Sequence, residues 1–303
     1  MTERHRSKLM LHNSSLRRAT LRALLLIAVA LVGTTIGAQS QLQSDAQSDT
    51  KLDIPSLITE VENKGKENTS RLLGYTFRLK HIEQELNDKD EVKKETSYLF
   101  QAFPLSKGNP VLMLLSENGK DLSPQRLAKE KAKANKEWRK RKLEIAGKPG
   151  EPEPLSFLRT SEFALLRSDR YKDRDVIVLR FKPRADFRPT KDAERLVSKL
   201  EGEMWIDPVE KIPLKLEARL VEKFSLGGLS GLFASLRPGW ALVLESAPLS
   251  DKSLPNGLWA ANRLEVYSLA KPLLSKTVRS RQKNEFSDYK PFDKDADKLP
   301  DNY

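Results

Sequence analysis

From Ile212 to Val221 the chain alternates almost without interruption. Ile212, Leu214, Leu216, Ala218 and Leu220 are apolar, and Lys215, Glu217 and Arg219 fall between them. A period of two belongs to a strand with one face buried and one in water. The pattern recurs along the chain. Tyr75, Phe77 and Leu79 alternate with Thr76, Arg78 and Lys80, and Val92, Thr96, Tyr98, Phe100 and Ala102 share one face of the next strand. Further strands are expected over 111–115, 162–171, 176–182, 201–207, 240–244, 258–269 and 276–287. The apolar phase slips between Leu79 and Ile82, which reads as a bulge or a strong twist. Turn residues at 87–90, Asn118-Gly119, 172–175 and 207–211 separate the runs. So many antiparallel strands with polar outer faces need one large apolar face to be covered. The expected fold is α+β, mainly β: a curled antiparallel sheet forming a half-open barrel closed by helices.

Three helices interrupt this pattern. The first opens at Asp53-Ile54-Pro55, carries Leu57, Ile58, Val61 and Leu72, and is weakened at Gly65. A second has Ser123 as its cap and Pro124 in its first turn. A short third one spans 191–200. The stretch 147–154 (GKPGEPEP) has the composition of a linker.

The first 38 residues read as a leader. Arg4, Arg6, Lys8, Arg17, Arg18 and Arg22 precede the apolar run Ala23 to Val32, and small residues follow as far as Ala38. That run is shorter than the ~20 residues a bilayer-spanning helix needs. The expected organisation is a signal peptide at 1–38, a flexible lead-in at 39–52 and a single domain at 53–289. The domain carries a charged helical insertion at 123–154, and a frayed polar tail follows at 290–303. The chain contains no cysteine. Lipid attachment at a lipobox, disulfides and thiolate metal sites are therefore excluded, and export to a periplasm-like compartment is expected without a lipid anchor.

No catalytic constellation is legible. Gly228-Leu229-Ser230-Gly231-Leu232 has a displaced last glycine and lacks the strand-turn-helix setting of a nucleophile elbow. His81 is distant in sequence and reads as an ordinary strand histidine. No phosphate loop, HExxH motif or metal-spaced cluster is present. The reading is a non-enzyme with no cofactor and no metal.

Two features point to binding. Between Arg126 and Lys142 there are nine Lys/Arg and two Glu. Lys129, Lys133, Lys136, Arg139 and Lys140 are the candidates for contact with an anionic membrane surface, at ~1 kcal/mol per basic residue. A solvated helix without a partner is the other reading, and nucleic acid is not expected for an exported chain. The second feature is the apolar, glycine-rich segment 224–236, which joins two strands where a loop would ordinarily be polar. Phe224, Leu226, Leu229, Leu232, Phe233 and Leu236 either pack permanently into the mouth of the sheet or form a flap over an apolar cavity, hinged at Gly227, Gly228 and Gly231. Tyr75, Phe77, Tyr98, Phe100, Trp205 and Trp240 are the candidates to line that cavity.

The run LLGYTFRLKHIEQEL (Leu72 to Leu86), Trp205-Ile206-Asp207-Pro208 and Phe286-Ser287-Asp288-Tyr289 resemble the periplasmic lipoprotein-carrier superfamily, LolA/LolB-like. The resemblance implies a half-open barrel with a hydrophobic cavity for lipid or lipoprotein acyl chains. The 123–154 region departs from a minimal carrier, and the motifs match no residue to the family's cavity arginine. Members of the superfamily also serve as envelope-stress sensors, so a scaffold that binds protein partners is the alternative role.

Overall fold

The computed structural model describes residues 52–106, 108–145, 156–189, 192–225, 234–249, 257–272 and 278–300. The leader, most of the lead-in, the linker and residues 226–233 lie outside this set.

Helix α1 (Ile54–Leu72) is capped by Asp53, whose side chain accepts from the Ser56 backbone N–H. It runs unbroken through Gly65, which is buried. Strands β1 (Tyr75–Leu86), β2 (Val92–Phe103), β3 (Val111–Glu117) and β4 (Lys120–Asp121) form a meander. The Asn118-Gly119 turn has both residues at positive φ, 52° and 73°, as a two-residue hairpin requires. Helices α2 (Pro124–Ile145) and α3 (Ser156–Thr160) follow, then β5 (Ser161–Tyr171), β6 (Arg174–Pro183) and α4 (Asp192–Val197). The chain continues through β7 (Leu200–Asp207), β8 (Ile212–Leu220) and the short β9 (Phe224–Ser225) and β10 (Ala234–Leu236). It ends with β11 (Ala241–Pro248), β12 (Trp259–Pro272) and β13 (Val278–Pro291).

All thirteen strands belong to one antiparallel sheet. Its main order is β4-β3-β2-β1-β13-β12-β11-β8-β7-β6-β5, and β9 and β10 attach at the end of β12. The curled sheet does not close, because β4 and β5 end the order without pairing to each other. The fold is α+β and mainly β.

One face, the inner one, carries the main core. It takes Phe77 and Leu79 from β1, Met204 and Ile206 from β7, Leu216 and Ala218 from β8, Leu242 and Leu244 from β11, and Leu264 and Val266 from β12, all packed with Leu57 and Val61 of α1. Helix α1 crosses the strands instead of following them. Glu60 pairs with Lys211 in the β7–β8 turn, Glu62 with Arg159 of α3, and Asn68 binds the start of β12.

On the outer face α2 packs Ala134 and Trp138 against Phe103, Val111 and Met113. The chain beyond β13 is not a frayed tail. Phe292 sits edge-on to Trp138, Trp138 Nε1 donates to the Ala296 carbonyl at 3.1 Å, and Leu299 is 1% exposed. The apolar stripe of α2 is covered on its far side by the segment after β13, which also takes Lys142 through the carbonyls of Asp295 and Ala296.

Two expectations about strand phase change. The β1–β13 register is continuous from Arg78 to Leu86, so no bulge lies between Leu79 and Ile82; the phase seemed to slip because His81 occupies an inward position. On β8 the pairing steps from Trp205↔Lys215 to Ile206↔Pro213, leaving Leu214 as an extra residue. Ile212 and Leu214 consequently leave the main core and pack with Trp205, Val176 and Val178.

Candidate apolar binding face

The inner face is unevenly covered. Phe77 and Leu79 of β1 are buried, but Tyr98 and Phe100 of β2 and Leu112 and Leu114 of β3 are only half-buried. Pairing places these four together: Phe100 lies between Leu79 and Leu114, Ala102 between Phe77 and Leu112, and Tyr98 opposite His81. The Tyr98 ring lies 6.0 Å from Phe100 and 6.3 Å from His81. The β1–β3 wing thus presents a partly open apolar surface that runs into the closed core.

Next to it is a polar strip. His81 Nδ1 lies 2.8 Å from Asn284 Oδ1, and Asn284 Nδ2 donates to the Leu264 carbonyl. Gln282 follows on β13, paired with Glu83 and Val266. His81, Gln282 and Asn284 are all buried. Burial lowers the His81 pKa below its ordinary value, against the Asn284 hydrogen bond and the nearby Glu83 charge, which favour the proton.

Of the other sequence candidates, Phe77 joins the wing through Phe286 and Tyr289, with ring centroids 5.9 and 5.3 Å away. Tyr289 closes the end of the face by donating its hydroxyl to the Ala261 carbonyl at 2.8 Å, and burial pushes that hydroxyl's pKa up. Tyr75 lines a separate cleft of about 530 Å³ with Arg71, Gly74 and Phe292. Phe224 and Trp240 are buried in the main core, and Leu236 packs against it opposite Phe224. Leu226, Leu229, Leu232 and Phe233 lie outside the described residues. Trp205 does not reach the inner face. Its neighbours Met204 and Ile206 point inward, so it points outward, beneath Lys215 at 4.5 Å and Arg167 at 5.8 Å. Leu112, Leu114, Gln282 and Asn284 belong to the site although no sequence signal singled them out.

A second cleft, of about 330 Å³, opens where β12 and β13 separate beyond the Arg263↔Glu285 pair, between Ala260, Asn262, Phe286 and Asp288. On α2 the five basic candidates Lys129, Lys133, Lys136, Arg139 and Lys140 are all exposed, and Leu143 beyond them is 78% exposed. Among the described residues no cluster of three His, Asp or Glu could hold a metal ion, and no helix is long and apolar enough to cross a membrane.

No protein-family model and no curated protein matches the chain. Among solved structures it is similar to a putative outer-membrane lipoprotein-sorting protein domain from Vibrio parahaemolyticus, at 15% identity and a TM-score of 0.30, over 77% of this chain and 91% of that one. It is also similar to a LolA superfamily protein from Nitrosomonas europaea, at 13% identity and a TM-score of 0.32, over 83% and 96%. A third similarity is to MucB in complex with the periplasmic part of MucA, at 9% identity and a TM-score of 0.21, over 80% and 100%.

Proposed function

We propose that this chain is an exported, non-lipidated binding protein that carries lipid or lipoprotein acyl chains on the inner face of its open sheet. One observation carries the reading: Tyr98, Phe100, Leu112 and Leu114 are grouped side by side and only half-buried on the sheet face that carries the main core. Apolar side chains grouped in this way lose free energy to water that a guest chain recovers, at ~0.8 kcal/mol per buried methylene. The wing is where an acyl chain enters. The basic stripe of α2, with Leu143 at its end, holds the protein at an anionic lipid surface while the chain transfers. No catalytic group is required. The sequence motifs shared with the lipoprotein-carrier superfamily agree with this reading.

Native mass spectrometry of the mature protein, purified from its own cells without detergent, tests it. Species heavier than the apoprotein by fatty-acyl or lipid masses are expected; ligand-free protein alone overturns the reading.

A second reading is a scaffold for protein partners. Strand β5 favours it, as an eleven-residue strand at the end of the sheet order that pairs, among the described residues, only with β6 and could accept an added strand. A stoichiometric protein partner recovered without lipid would select this role.

A further inference from the structure

We infer that the buried strip His81–Asn284–Gln282 reads a hydrogen-bond donor on the guest, so that the preferred ligand carries an N–H or O–H next to its alkyl chain. The inference rests on the acyl-chain reading of the same face and adds what kind of head the chain bears.

The chemistry follows from the protons. Asn284 Nδ2 donates to the Leu264 carbonyl, so its Oδ1 is the end that faces His81. That oxygen can only accept, so neutral His81 carries its proton on Nδ1 and turns Nε2 into a lone-pair acceptor. One diagonal step along the same face is Gln282, which is 6% exposed and whose Oε1 has no hydrogen-bond partner. A buried amide oxygen left without a donor is costly, and such groups are rare in folded proteins. His81 therefore puts one acceptor next to the half-buried Tyr98 ring, and Gln282 puts a second further along the face, on the far side of β1. A plain hydrocarbon or a simple ester brings nothing to satisfy them. An acyl amide or a hydroxylated amphiphile does, with its chain on the aromatic surface and its donor on the strip. Selectivity arises because a site built to pair with a donor rejects the analogue that lacks it.

The test compares N-methyldecanamide with methyl decanoate, which differ only by N–H against O, in calorimetric titrations of the full mature protein. The amide is expected to bind about tenfold more tightly to the wild type. Gln282→Leu should erase most of that preference. Equal affinities in the wild type would overturn the inference and leave the acyl-chain reading standing. If neither compound binds, both fail. The wild-type comparison decides the matter even if Gln282→Leu does not fold, and Gln282→Met is the alternative variant.

Discussion

Asn68 of α1 takes both backbone groups of Trp259 at the start of β12: its Nδ2 donates to the carbonyl at 2.5 Å, and its Oδ1 accepts from the N–H at 2.7 Å. A helix side chain here replaces the missing strand, because β12 pairs with β13 only from Arg263 onward. The contact fixes where the crossing helix sits over the inner face. Asn68→Ala leaves two buried backbone groups unpaired and should cost about 2–4 kcal/mol. Urea denaturation measures this, and an unchanged midpoint would show that the contact is not what holds α1.

His81 should make the fold sensitive to mild acid. Its pKa is depressed in the folded state, so above about 6.5 both states are neutral and stability is unaffected. As pH falls below that, the unfolded chain binds the proton first, and stability declines until the folded pKa is reached. Urea midpoints should therefore drop between pH 7.5 and 5. His81→Gln should flatten the slope in that window.

Asp207 titrates lower. Burial raises its pKa, but the N–H groups of Glu210 and Val209 and the Arg174 guanidinium outweigh this and hold the carboxyl below its usual range. Its stabilisation is present above the unfolded pKa near 3.9 and disappears only as pH falls through the lower folded value. Asp207→Ala should cost about 1–3 kcal/mol at neutral pH by removing the turn's acceptor, with no effect on the slope between pH 7.5 and 5.

Gly202 on β7 faces the backbone of β8 so closely that an added Cβ would lie 1.8 Å from the Glu217 carbonyl oxygen. Backbone cannot yield as a side chain tip can. Gly202→Ala should destabilise by at least about 1–3 kcal/mol or abolish soluble expression, and wild-type stability in this variant would contradict the pairing.

The strand pattern was readable because most inner positions are apolar and most outer ones charged. The outer face bears this out in rows such as Lys215, Glu245, Arg263, Glu285 and Lys80, where opposite charges meet across five strands. Reading failed where that code is broken. Gln282, Asn284 and His81 are polar yet point inward, so alternation of apolar and polar residues does not mark them as inner positions. Trp205 is aromatic yet points outward, with the Lys215 ammonium and the Arg167 guanidinium over its ring. The segment after β13 was missed because Phe292 and Leu299 are isolated apolar residues in a polar stretch, and only their fit to Trp138 gives them a place. The open patch at Tyr98 and Phe100 was half legible: strand and face were clear, but Leu112 and Leu114 depend on a bulge between Leu99 and Phe100 that no local signal announces.

The basic stripe yields a prediction of its own. Lys133→Glu with Lys136→Glu should weaken binding to phosphatidylglycerol vesicles at low salt by tenfold or more, given ~1 kcal/mol per basic residue near an anionic surface. Raising the salt should shrink the difference. Co-sedimentation with vesicles measures it, and equal binding of variant and wild type would remove α2 from membrane contact.

Position 100 offers the most direct view of what rests on the inner face. With a photo-crosslinking phenylalanine analogue in place of Phe100, the protein is irradiated in its cells and its adducts are weighed, with the same group at the neighbouring, oppositely directed Leu99 as the control. Fatty-acyl or lipid adducts at 100, and few at 99, are expected. Position 100 giving no lipid adduct, or giving protein adducts alone, would contradict an acyl-chain carrier.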